Sequence, residues 1–168
     1  MLITIDKREK LPFTFSGKGF ENITTEAAVL PVGDYSLPGL ADMVSVERKS
    51  VDDLILCMTR ERERFERELH RARGLDAFAV VIEASFEDLA RGRYRSQMNP
   101  HAACQSVLAY TAKMSIPFLF AGNRAVAEYA TAGFLRQYLA GCMGKLKAVE
   151  KAAQNGASKG KSIPSAAL

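Results

Sequence analysis

The stretch Val32-Gly33-Asp34-Tyr35-Ser36-Leu37, followed after Pro38-Gly39 by Val44-Ser45-Val46-Glu47-Arg48-Lys49-Ser50, decides how the rest of the 168-residue chain is read. Two short β-rich runs flank a Pro-Gly turn signal, which is the pattern of a hairpin. Strand side chains alternate between faces, so Glu47 and Lys49 share one face, while Arg48 joins Val44 and Val46 on the other. A turn centred between Leu40 and Ala41 sets Asp34 directly across from Glu47. Directly opposed residues hold their Cβ atoms roughly 5 Å apart, near enough for two carboxylates to share one divalent ion. Two acids and a lysine make a hydrolytic set. The ion polarises a phosphate and activates water, and the lysine orients or deprotonates that water.

Upstream of the hairpin, Leu2-Ile3-Thr4-Ile5 reads as a strand ending in the charged run Asp6-Lys7-Arg8-Glu9-Lys10. Pro12, Gly17 and Gly19 mark a loop, and Ile23 to Leu30 is a second strand. Downstream, Ser50 to Arg73 reads as one helix. Ser50-x-x-Asp53 fits a capping box, the stripe Leu54, Met58, Phe65, Leu69 and Ala72 forms its inner face, and Gly74 stops it. Its outer face alternates arginine with glutamate. That pattern describes a solvated face whose i,i+4 pairs are each worth about 0.3–0.5 kcal/mol, because the acids cancel much of the arginine field. Arg60 and Arg64 are singled out as the arginines nearest the hairpin and hence as phosphate-binding candidates. Ala77 to Glu83 carries the continuous apolar run of a buried strand. Asn99-Pro100 opens a helix reaching about Lys113, and Ile116 to Ala121 is a further strand. A long helix then runs from about Arg124 to Val149, with more apolar positions than one stripe needs, enough to face both a sheet and a second subunit. From Lys151 onward Gly, Ser, Lys, Ala and Pro dominate. The expected organisation is therefore a domain over residues 1–150 and a flexible basic tail over 151–168. An antiparallel start followed by alternating strands and helices predicts an α/β fold, a mixed sheet flanked by helices.

Length and composition agree with one ordinary globular domain that needs no disulfide or metal staple. A net charge of +4 and a pI near 9.0 permit a nucleic-acid partner without demonstrating one. Cys57, Cys104 and Cys142 are scattered, odd in number and without zinc spacing, which fits reduced thiols in a cytoplasmic compartment. With no secretory segment at the start and no apolar run of membrane length, an intracellular protein without a membrane partner is expected. No GxGxxG or P-loop pattern supports nucleotide hydrolysis.

Gly33-Asp34-Tyr35, then Val46-Glu47-Arg48-Lys49, then Asp53 resembles the GD…VERKxxxD signature of the XPF-type (ERCC4-domain) structure-specific nucleases. That signature is a variant of the PD-(D/E)xK metal site. Ile5-Asp6-Lys7-Arg8-Glu9 is similar to the family's D-x-R-E strand end, and Val81-Ile82-Glu83 to its later strand. The likeness spans roughly residues 1–120 in order, and nothing after residue 123 resembles the family's tandem helix-hairpin-helix DNA grip. The resemblance implies a restriction-endonuclease-like fold and a Mg²⁺-dependent DNA endonuclease, with Mn²⁺ as substitute. It further implies branched or flap DNA as substrate, and work in repair, recombination or replication by a stand-alone bacterial or phage-like form.

On the site residues, Asp34 alone could be a turn acid. Facing Glu47 and Lys49, and matching the family order, it is taken as a metal ligand. Glu47 is the second ligand, and the resemblance makes Glu9 the third acid, while Asp6 holds Arg8. Lys49 is expected to orient the water with its pKa lowered by the metal. Arg48 stands between a supporting salt bridge and a phosphate contact. Asp53 suits both helix capping and the last acid of the family motif. Arg8, Arg60, Arg64 and the Arg93-Tyr94-Arg95 loop are the DNA-binding candidates, the last because an aromatic between arginines suits stacking on a strand. A homodimer is expected, with a DNA-targeting partner protein as a further source of grip. Two alternatives remain: a catalytically inactive DNA-binding or scaffolding subunit, and a sequence-specific restriction-type enzyme.

Overall fold

A computed structural model describes residues 1–159. Its sheet has six strands: β1 (Leu2–Asp6), β2 (Thr24–Ala28), β3 (Tyr35–Ser36), β4 (Val44–Lys49), β5 (Ala77–Ile82) and β6 (Phe118–Phe120), in the order β2-β1-β3-β4-β5-β6. The inner hairpin is antiparallel, β1 with β3 and β3 with β4, whereas β1–β2, β4–β5 and β5–β6 are parallel. The expected mixed sheet is what forms, and β4, buried between neighbours of both senses, lies at its centre.

Gly33 sets the bend into β3. Its φ is +76°, and a Cβ there would come within 2.2 Å of Ser45 Oγ, so only glycine fits. The hairpin register pairs Tyr35 with Val46, and one step outward this places Asp34 across from Glu47. The turn is therefore centred between Leu40 and Ala41.

Helices α1 (Val51–Met58), α2 (Arg62–Ala72), α3 (Phe86–Ala90) and α4 (Pro100–Met114) accompany the sheet. Leu54, Met58, Phe65, Leu69 and Ala72 are all buried, and they cluster with Phe78, Val80 and Ile82 of β5 and Val107 and Tyr110 of α4. Alternate residues Ala79 and Val81 are equally buried but belong to the other side of the sheet, where Phe13 and Phe15 pack on Tyr35. Both faces of β5 are covered, which explains its unbroken apolar run.

Four elements differ from the sequence expectation. The helix expected over Ser50–Arg73 is two helices, broken at Thr59-Arg60-Glu61: the Thr59 hydroxyl donates to the Ile55 carbonyl (2.8 Å), and Thr59 leaves helical geometry with ψ −88°. Short α3 was not foreseen, although Ser85 and Asp88 form a reciprocal capping box. β3 keeps only two residues of strand. The last helix, α5, runs Arg124–Lys159, ten residues past Val149. The stretch expected to be a flexible tail is thus helical through Lys159, and residues 160–168 lie outside the described residues. The chain forms two compact units, Met1–Leu135 and a second from Arg136 on. Among the described residues no helix is long and apolar enough to cross a membrane.

Candidate functional site

The C-terminal end of β4 carries alternating chemistry. In the parallel β4–β5 register Glu47 aligns with Val80 and Lys49 with Ile82, so both lie on the face covered by α1 and α2. Arg48 aligns with Val81 and takes the opposite face.

On the helical face a cleft of about 440 Å³ is lined by Asp34, Glu47 and Lys49, with Arg8, Glu9 and Lys10 from the first loop and Arg64, Glu68 and Arg71 from α2. Asp34 is fixed by its own backbone, its N–H donating to the Val46 carbonyl (2.8 Å), and by the Arg48 N–H, which donates to its carboxylate (2.8 Å). Glu47 is 4% exposed and its carboxylate accepts from the Lys49 ammonium. Desolvation pushes both carboxyls well above the ordinary range, and their mutual repulsion adds to the rise for Glu47. Two acids held together against their own repulsion, in a polar cleft, are a donor set that a divalent cation would relieve. The residues fit such an ion.

Burial works to lower the Lys49 pKa, yet the contact with Glu47 outweighs this and the net shift is upward, so the ammonium is charged. Glu9 lines the cleft and its carboxylate accepts from the Arg48 guanidinium (3.0 and 3.3 Å); among the described residues no three acidic, histidine or cysteine side chains converge as a ready metal cage. Arg48, 9% exposed, also donates to Glu83 (3.2 Å), so the supporting salt bridge forms, while the residue also lines the cleft. Arg8 holds Asp6 through a two-pronged pair (2.8 Å each), as expected, while lining the cleft.

Asp53 is not among the cleft-lining residues. Its N–H and carboxylate are bound by the Ser50 hydroxyl as the α1 cap, and it lines a separate cleft with Arg60, Tyr94 and Arg95. The capping explanation is the one the geometry supports. Of the two helix arginines proposed for DNA, Arg64 lines the acid cleft and Arg60 does not. Tyr94 donates its hydroxyl to the Met98 carbonyl (2.9 Å), Arg93 pairs with Asp88, and the Arg95 N–H is bound by Asp52. Arg71, Glu68 and Lys10 were missed. Arg64, Glu68 and Arg71 fall at i, i+4 and i+7, a shared helical face that could have exposed them together.

Among curated proteins none matches the chain. Solved structures that resemble it include XPF from Aeropyrum pernix, with a TM-score of 0.63 and 16% identity over 83% of this chain and 65% of that one. XPF from Aeropyrum pernix in complex with DNA gives 0.61 and 18% over 82% and 64%. The chain therefore spans just under two thirds of the length of those proteins, and at such identities the likeness establishes the shared fold. The family model described as the ERCC4 domain matches residues 5–132, which is most of the sheet, its helices and the whole acid cleft, and the chain accordingly belongs to the ERCC4 domain family.

Proposed function

We propose that this protein is a divalent-metal-dependent DNA endonuclease whose acid cleft hydrolyses phosphodiester bonds, leaving 5′-phosphate and 3′-hydroxyl ends. The observation that carries the proposal is the placement of Asp34 opposite Glu47, with Lys49 in contact with Glu47, inside a cleft rimmed by Arg8, Lys10, Arg64 and Arg71. Membership of the ERCC4 domain family and the fold shared with an XPF structure described in complex with DNA support it.

Asp34 and Glu47 would hold Mg²⁺, with Mn²⁺ as substitute; such an ion, when bound, polarises phosphate oxygen and acidifies water. Hard cations of this kind keep several waters beside one or two carboxylates, so two protein acids suffice. The Lys49 ammonium, in contact with Glu47, would donate to the attacking water and orient it. Arg64 and Arg71 bind flanking phosphates as point contacts along one face of α2. Arg48, which also lines the cleft, orients Asp34 through its main-chain N–H and fixes Glu9 through its guanidinium.

Branched or flap DNA is the proposed substrate and a homodimer the proposed assembly, for which the exposed Val126 and Tyr129 supply apolar surface. The test is a Mg²⁺ cleavage panel over single strands, duplexes, 3′ flaps, 5′ flaps and forks. Flap or fork cleavage that vanishes in Asp34→Asn supports the proposal; cleavage that survives both Asp34→Asn and Lys49→Ala overturns the site.

A further inference from the structure

Arg124, the first residue of α5, is engaged far more heavily than an exposed helix-end arginine requires. Its Nη1 donates to Glu83 Oε1 (2.7 Å), and its Nη2 donates to the carbonyls of Leu11 and Pro12 (2.8 Å each). The guanidinium also lies over the Phe13 ring, 4.8 Å from its centroid. Glu83 Oε1 is the same oxygen that accepts from Arg48 (3.2 Å), and Arg48 in turn grips Glu9. The Leu11 N–H donates back to Glu9 Oε1 (2.6 Å). These bonds close a ring: Glu9, Arg48, Glu83, Arg124, the Leu11 carbonyl and back to Glu9.

The ring reaches the acid pair directly: Glu9 and Arg48 both line the acid cleft, and the Arg48 N–H binds the Asp34 carboxylate. The loop from Glu9 to Phe13 contains Pro12 and lies outside the strands and helices, so its place depends on side-chain ties. A planar guanidinium presents several donors in a fixed fork and can serve three oxygens at once. A lysine would offer a single ammonium to acceptors lying in different directions.

We propose that Arg124 is a positioning residue of the acid cleft: through Glu83 and the Leu11–Pro12 carbonyls it fixes Glu9 and Arg48, and through Arg48 it sets the Asp34 carboxylate against Glu47. The consequence for metal capture rests on the nuclease proposal above, whereas the consequence for loop order does not.

The experiment uses the full chain, with Arg124→Gln and Arg124→Lys as variants. Amide exchange at Leu11 and Phe13 is measured alongside Mn²⁺ titration by calorimetry and thermal melting. In Arg124→Gln, exchange at both amides accelerates at least tenfold and Mn²⁺ affinity falls about tenfold, the usual scale for groups that orient metal ligands. Arg124→Lys falls between the two and decides the matter should the glutamine variant fail to fold. Unchanged exchange at Leu11 and Phe13 in a folded variant overturns the proposal. So does a lowered melting temperature with wild-type Mn²⁺ affinity, which is what a merely structural arginine would give. A wild-type chain that binds no Mn²⁺ counts against the nuclease proposal instead, and the exchange data still decide the role of Arg124 in the loop.

Discussion

The two faces of β4 hold similar charges to different ends. On one face Arg48 meets two carboxylates, Glu9 and Glu83, and Arg124 joins the second of them, so the buried charge is matched within the protein. On the other, Asp34 and Glu47 oppose each other with one lysine in contact, in a cleft rimmed by Arg8, Lys10, Arg64 and Arg71. The first arrangement is a brace and the second is the proposed binding site. What distinguishes them is that two arginines match two carboxylates in the first, while two carboxyls meet one lysine in the second. Adjacent residues in sequence, Glu47-Arg48-Lys49, reach these two fates because a strand sends neighbours to opposite sides.

The sharpest way to break this contrast is to remove one cation from each face. Lys49→Ala should lower the rate of Mg²⁺-dependent cleavage by about a thousandfold or more, the equivalent of several kcal/mol of transition-state stabilisation, in a chain that still folds. Its stability loss is limited because Glu47, already displaced upward, can take up a proton. Arg48→Ala should instead cost about 3–5 kcal/mol in denaturant unfolding, since the Glu9 carboxylate loses its ion-pair partner and Glu83 keeps only Arg124. Equal stability losses in the two variants would refute the division into brace and site.

A smaller effect concerns Asp6 at the edge of the same cleft. The paired Arg8 guanidinium, against some desolvation, holds the Asp6 carboxyl down to about 2. Its folded value lies below its unfolded one, so the stabilisation is fully present above about pH 4 and drains away as pH falls towards 2. The amount is about 2 kcal/mol. Asp6→Asn should flatten the acid limb of a stability-versus-pH curve in that window, and a parallel curve for wild type and variant would contradict the pairing.

The gentlest expected effect is at Arg71. Its substitution by alanine should leave the fold intact and reduce the slope of log affinity against log salt by about 1 in a DNA-binding titration, the value for one lost phosphate contact. An unchanged slope would remove Arg71 from the DNA path and leave that face of α2 to Arg64.

Much of this was legible in the chain. The hairpin register, the partition of Glu47 and Lys49 from Arg48, and the buried stripe of α1 and α2 follow from the strand period of two and the helical period of 3.6. That Gly33-Asp34 could form a turn was legible too, whereas the positive φ and the approach of Ser45 that make glycine necessary came from the fold. The break at Thr59 was not legible, because one threonine hydroxyl turning back to the Ile55 carbonyl leaves the apolar stripe in phase on either side. Nor was the partner of Glu9, whose carboxylate meets Arg48 across 39 positions of sequence. The same holds for Arg71 and Arg124, since neither sits in a motif and each gains its meaning from what another element brings near.

By itself the sequence determined periodicities and residue types: where strands alternate, where a glycine can bend, which acids and which lysine can lie opposite one another. Those are short-range properties, set by local backbone geometry and side-chain chemistry. Only the tertiary structure decided which charges cancel. Coulombic partners such as Glu9 with Arg48, or Glu83 with both Arg48 and Arg124, are chosen by distance in space, and desolvation, which raises the Asp34 and Glu47 carboxyls, exists only once the sheet and its helices have closed over them.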